Sequence, residues 1–220
     1  MKTLNILVTL FVIYFITGCT PLLVGALNQI EMTKISIQDD KMYLMGDFNS
    51  KSYKQVTKAL RTHPKIKTII LTAHSGSLDD DTTFKLARYI RSKGLNTHLL
   101  SNSVIASGAV DLFLSGNQRT MEKGAQLGVH SWSDGSTQAK DIPRDHTDHQ
   151  LNAVYIKDML GSDTFYWFTI YSASADSIYW MKPTEIQRYK MLTANVMVAS
   201  HDKTPFGKAF LEERLSVLED

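Results

Sequence analysis

Ser107 and His130 are the two residues whose types and settings could carry nucleophilic chemistry. Ser107 lies among small residues, Ala106, Gly108 and Ala109. Small neighbours let a substrate backbone approach closely. The segment 105–114 reads as the entry into a helix, and a helix start offers main-chain N–H groups that can steady an oxyanion. A serine hydroxyl is a weak nucleophile until a base lies within hydrogen-bond reach. His130 closes the apolar run Gln126-Leu127-Gly128-Val129, and an imidazole with an ordinary pKa of about 6.5 suits that base. Each feature also has a plain structural reading. Ser-Gly-Ala at a helix start suits tight packing, and a single histidine at a strand end is often a satisfied structural residue.

The flanking patterns say which elements must hold these two residues. Lys34-Ile35-Ser36-Ile37 and Met42-Tyr43-Leu44-Met45-Gly46 read as strands joined at Asp39-Asp40-Lys41, a hairpin turn. Ser50 can cap a helix that runs to about Thr62 and ends at His63-Pro64. Thr68-Ile69-Ile70-Leu71-Thr72 is continuously apolar and β-branched, which predicts a strand buried on both faces. A helix over 79–92 follows, stopped at Gly94, then a short strand at Thr97-His98-Leu99-Leu100. Strand, helix, strand, helix, strand is the rhythm of βαβ crossovers on a mainly parallel sheet. Beyond Trp132 the chain is polar to Arg144, which predicts a loop, and helical patterns return over 145–160, 164–172 and 183–190.

Taken together, three segments resemble the catalytic region of the Clp protease superfamily. Leu71-Thr72-Ala73-His74-Ser75-Gly76-Ser77-Leu78-Asp79 resembles its glycine-bearing loop, usually Asn-Ser-Pro-Gly-Gly. Ile105-Ala106-Ser107-Gly108-Ala109, with Leu112-Phe113-Leu114-Ser115-Gly116 and Arg119, resembles the nucleophile helix and the turn after it. Leu127-Gly128-Val129-His130-Ser131-Trp132 resembles the strand carrying the histidine, and the interval 130 − 107 = 23 residues is close to the family's. The resemblance implies an α/β fold, the Clp/crotonase-like layered spiral with a mainly parallel sheet and flanking helices. It implies a serine peptidase acting on a peptide or protein substrate, with Ser107 as nucleophile and His130 as base. Asp176, ahead of Pro183-Thr184-Glu185, is the expected third member of the triad, with Asp134, Asp145 and Asp163 as rivals. The oxyanion would be met by the N–H groups of Ser75 or Gly76 and of Gly108. Ser75 departs from the family's pattern, because serine stands where the first glycine is usual and serine tolerates positive φ poorly. Family members often assemble into rings, so a homo-oligomer is consistent with the resemblance.

The start of the chain carries a second message. Met1-Lys2 precedes an apolar run, Leu4 to Phe15, and then Ile16-Thr17-Gly18-Cys19. A charged start, a short apolar core and small residues before a cut site read as a secretory signal. The run falls short of the roughly 20 residues of a membrane-spanning helix. Ile-Thr-Gly-Cys resembles the lipobox of bacterial lipoproteins, which implies acylation of Cys19, with palmitate among the expected chains, and a membrane anchor through the N-terminal lipid. The expected organisation is a signal over 1–18, a lipidated Cys and tether over 19–32, and one Clp-protease-like domain over 33–220. The expected location is the bacterial envelope, at the outer membrane facing the periplasm.

Composition fits this reading. The chain has 220 residues, 43% of them hydrophobic, and a formal net charge of +2. That is enough for one sizeable core, and it supplies no electrostatic footprint for a nucleic acid. No cofactor and no metal are expected. His146 and His149 share a face at helical spacing, but with no third ligand nearby they read as a solvated helix face. The aromatic run Phe165-Tyr166-Trp167-Phe168, with Tyr171, reads as core or oligomer packing. Two other functions compete with the peptidase. One is a catalytically weak or inactive lipoprotein that keeps the fold as a binding or assembly module. The other is crotonase chemistry on acyl-CoA, which does not need this serine–histidine pair.

Overall fold

A computed structural model describes Gly25, Leu27 and residues 29–194. Cys19, the signal segment and most of the tether lie outside the described residues. Seven strands form one sheet: β1 Lys34–Gln38, β2 Lys41–Met45, β3 Thr68–His74, β4 Asn96–Ala106, β5 Arg119–Met121, β6 Gln126–Val129 and β7 Tyr179–Trp180. The helices are α1 Ser52–Thr62, α2 Asp80–Ser92, α3 Gly108–Leu114, α4 Gln150–Leu160, α5 Thr164–Ser172 and α6 Pro183–Arg188. Among the described residues no helix is long and apolar enough to cross a membrane.

The order across the sheet is β1-β2-β3-β4-β6-β7, with β5 also paired to β4. β1 and β2 form the antiparallel hairpin, turned at Asp39, whose φ is 53°. From β2 to β6 every pairing is parallel, and β7 closes the far edge antiparallel. The helices α1, α2 and α3 make the connections between parallel neighbours, as the alternating pattern predicts. Side chains of successive strand residues point to opposite faces. Met42, Leu44, Ile69, Leu71 and Leu99 therefore join the main core under the helices, while Tyr43, Ile70 and Leu100 form a smaller cluster on the other face. The run at 68–72 is buried on both faces, as expected.

β4 is the element that differs most from expectation. It is 11 residues long and carries the strand through Ala106 up to Ser107. Its first half pairs with β5 (Thr97↔Arg119 to Leu99↔Met121) and its second half with β6 (Val104↔Gln126 to Ala106↔Gly128). β5 and β7, at three and two residues, are too short to give a periodic signal. Arg119 fastens β5 to the chain beyond α6. Its guanidinium donates to the carbonyls of Gly116, Lys190 and Met191.

Candidate active site

β4 delivers Ser107 to the first turn of α3. Ser107 has φ 54° and ψ −132°, a conformation that side chains other than glycine rarely adopt. The main chain holds it there from both sides. Ser107 N–H donates to the Gly128 carbonyl at 3.0 Å, extending the β4–β6 ladder by one residue, and Ser107 O accepts from Val110 N–H at 2.8 Å. A sharp turn between strand and helix pushes the hydroxyl clear of the sheet. Ser107 Oγ makes no hydrogen bond to any described residue and faces a cleft of about 60 Å³ that His130 also lines.

His130 follows β6, two residues beyond the Ala106↔Gly128 pair. The shared ladder thus carries both residues to the same end of the sheet. His130 Nδ1 lies 2.7 Å from the Ser131 carbonyl oxygen. A carbonyl only accepts, so Nδ1 carries the proton and Nε2 is the free base. Burial holds the His130 pKa below its ordinary 6.5, while the Ser131 carbonyl acts in the opposite direction. The neutral, proton-accepting form is therefore favoured at neutral pH.

Asp176 is not brought to His130. It is exposed between α5 and β7, and its carboxylate accepts from the Ser174 hydroxyl, which with nearby Lys140 keeps its pKa below the usual range. The position that an aspartate would take on Nδ1 is filled by the Ser131 carbonyl. Nor do the rivals reach it. Asp134 caps its own turn through Ser136 and Thr137, Asp163 accepts from Trp167 Nε1, and Asp145 is exposed in the loop ahead of α4.

The loop after β3 separates the two alternatives expected for the first oxyanion donor. Ser75 N–H and Oγ–H both donate to Asp47 Oδ1, at 2.9 and 2.5 Å, so Ser75 N–H is already spoken for. Ser75 does not have a positive φ, so serine costs nothing there. Gly76 does, at 155°, and its N–H has no acceptor among the described residues. Gly76 packs on Ser107: a Cβ built on it would stand 3.0 Å from Ser107 Cβ and 3.4 Å from Ser107 Oγ. Gly108 opens α3, where an N–H has no intrahelical acceptor. Its missing side chain also makes room, since a Cβ there would come 2.5 Å from Ser77 Cβ. Gly76 and Gly108 thus flank Ser107 with two N–H groups that no helix or strand bond uses.

His74, which precedes this loop, is buried and stacked on Phe48 at 4.9 Å, with its ring nitrogens on the carbonyls of Gly46 and Leu44. It is a structural post for the loop and lies outside the cleft. His149 likewise departs from expectation. It sits in the 3₁₀ turn Thr147–His149, is buried, and engages Tyr166 Oη at 2.6 Å and the Ile142 carbonyl at 3.3 Å. Among the described residues no group of His, Cys, Asp or Glu is placed to hold a metal ion.

The cleft has two kinds of wall. Val110, Val129, Trp132, Ile156, Phe165 and Tyr166 are apolar or aromatic, so the run at 165–168 is partly a wall of this cleft as well as core. Asp80, Asp111, Asn152 and Thr169 supply polar groups. Asp111 lies one helical turn beyond Ser107. Its carboxyl has no hydrogen-bond or ion-pair partner among the described residues, and burial, with Asp80 adding to it, pushes its pKa up to about 8. Burial also raises Asp80, with the Ser77 hydroxyl opposing. Neither carboxyl was singled out in the sequence as part of a site, because Asp79-Asp80-Asp81 also suits a helix first turn and Asp111 sits inside an apolar run.

Comparison with solved structures places the fold. A serine-to-alanine mutant of a membrane-bound stomatin-specific protease is similar at 15% identity and a TM-score of 0.50, covering 70% of this chain and 78% of that one. ClpP1 from Listeria monocytogenes is similar at 16% identity and a TM-score of 0.50, covering 77% and 93%. A methylmalonyl-CoA decarboxylase gives a TM-score of 0.48 at 12% identity, covering 74% and 66%. No family model and no curated protein matches the sequence. The architecture is the Clp protease/crotonase-like fold.

Proposed function

We propose that this chain of Clp/crotonase-like fold is a serine peptidase, in which Ser107 attacks a peptide carbonyl and His130 is the general base. The observation that carries the reading is the strained turn at Ser107 (φ 54°), which turns its hydroxyl into the cleft that His130 lines, with Gly76 packed against it. Such strain is maintained where the surrounding structure over-determines it, and it clusters at reactive residues.

In the proposed reaction His130 Nε2 takes the Ser107 proton as Oγ bonds to the carbonyl carbon. Negative charge passes to the carbonyl oxygen, which Gly76 and Gly108 N–H groups would receive. The proton then moves from Nε2 to the leaving amine as the C–N bond breaks, and water repeats the sequence on the acyl-enzyme. The Ser131 carbonyl keeps the Nδ1 proton in place throughout. A rotation of the serine or histidine side chain is needed, since the two are not hydrogen bonded in this structure; such bonds often tighten only with substrate. We further propose that the lipobox-like segment places the peptidase on the bacterial outer membrane, facing the periplasm and anchored through Cys19.

A fluorophosphonate probe tests the chemistry. Labelling of the wild type and its loss in Ser107→Ala supports the peptidase. An unlabelled wild type that is folded by circular dichroism overturns it. A second reading, a binding module without turnover, draws on His130 having no carboxylate partner among the described residues, and the unlabelled outcome favours it.

A further inference from the structure

The cleft beside Ser107 has a chemical asymmetry that hydrolysis alone does not require. Two carboxyl groups, Asp111 from α3 and Asp80 from α2, line this one cleft, and no Lys or Arg among the described residues lines it with them. Asp80 has the Ser77 hydroxyl to relieve it. Asp111 has none among the described residues: its partly exposed carboxyl lines the cleft without a hydrogen-bond or ion-pair partner. Even partial burial makes an unpaired carboxylate costly, and a cationic partner would relieve it. Other deep polar groups nearby are satisfied. Tyr166 Oη receives Trp132 Nε1 at 3.0 Å, and Tyr155 Oη donates to the Asp111 main-chain carbonyl at 2.6 Å, leaving the Asp111 side chain untouched.

What would satisfy Asp111 can be read from the walls. Besides Ser107 and Asp111, the cleft is lined by Val110, Ile156, Phe165, Trp132 and Tyr166. An occupant must therefore have an apolar stem and a cationic end, the construction of a lysine or arginine side chain. Four helical residues rise about 6 Å, a distance a slender four-carbon stem can span.

We propose that this cleft selects a basic side chain, lysine or arginine, on the residue whose carbonyl Ser107 attacks, with Asp111 as the principal acceptor and Asp80 as its support. The inference rests on the peptidase reading for its placement next to the scissile bond. Its core, a pocket for an alkylammonium group, can be measured without turnover.

The test uses full-length Ser107→Ala protein and two small probes, Nα-acetyl-lysine methyl ester and the norleucine counterpart, which keeps the stem and lacks the charge. Calorimetric titration is expected to give at least tenfold tighter binding of the lysine probe. Asp111→Asn should remove that advantage, and Asp80→Asn, at a half-buried position, should reduce it. Equal binding of the two probes overturns the assignment, as does a lysine advantage that survives both substitutions. Should Asp111→Asn fail to fold, Asp80→Asn and protection of wild-type Ser107 from the fluorophosphonate by the lysine probe decide the matter. The two readings fail separately. A lysine advantage without wild-type labelling sinks the peptidase and keeps the pocket, whereas labelling without a lysine advantage does the reverse.

Discussion

Gly76 and Ser107 are in contact through a face that only glycine can present: a Cβ on Gly76 would stand 3.0 Å from Ser107 Cβ and 3.4 Å from its hydroxyl oxygen. The loop after β3 is thereby packed onto Ser107 by an absence of atoms. It is held from behind by Asp47, which binds both Ser75 N–H and Ser75 Oγ–H.

Gly76→Ala should abolish this fit. The new methyl crowds Ser107, and φ of 155° is unfavourable for alanine. Moving one oxyanion donor costs about 10²–10³ in rate. The expected result is a loss of that order in fluorophosphonate labelling rate with the circular dichroism spectrum unchanged. A labelling rate within threefold of wild type would remove Gly76 from the oxyanion site.

Ser107 stores strain that glycine would release. Positive φ with ψ of −132° is costly for serine, by about 1–3 kcal/mol for such conformations. Ser107→Gly should therefore raise the thermal midpoint while eliminating labelling, and Ser107→Ala should eliminate labelling without that gain. Equal midpoints for the two variants would mean that the turn is relaxed.

His130 sets the acid limb of any rate profile. Burial lowers its folded pKa, so protonation, which removes the base, begins only below its ordinary 6.5. The labelling rate should stay flat down through pH 6.5 and fall at lower pH. The same sign applies to stability: the folded state binds this proton less readily than the unfolded chain, so His130 costs stability as pH drops below 6.5. A labelling midpoint above 6.5 would contradict the buried, neutral imidazole.

Asp111 acts in the other direction. Its folded pKa, about 8, lies above its ordinary 3.8, so its favourable contribution is complete below 3.8 and is lost as pH rises through 8. The groups around it are Asp80 on α2, Tyr155 on α4, Tyr166 on α5 and His130 after β6. Of these, Asp80 reinforces the effect. Asp111→Asn should melt like wild type at about pH 4 and several degrees higher at about pH 8. A midpoint difference that is constant with pH would show that the carboxyl is solvated.

The parallel core of the fold was legible because its signals are local. The β-branched run at 68–72 and the amphipathic helices α1 and α2 follow directly from residue pattern. That Ser107 and His130 line one cleft was legible by order and spacing. What escaped depends on distant partners. Whether Ser75 or Gly76 offers a free N–H is decided by Asp47, 28 residues earlier. Asp176 looked suitable by position, yet the Ser131 carbonyl holds Nδ1, and a main-chain acceptor leaves no trace in a side-chain pattern. The acidic character of the cleft arises only when α2 and α3 meet, since Asp80 and Asp111 are 31 positions apart (111 − 80).

The Ser131 carbonyl has one more consequence. A triad aspartate is a single codon, open to loss in one step, whereas a peptide carbonyl is present whatever residue occupies position 131. Tautomer control of His130 is therefore insulated from mutation so long as the backbone keeps its path. On the peptidase reading, Asp176→Ala should therefore be labelled by the fluorophosphonate like wild type, whereas Ser107→Ala and His130→Ala should not.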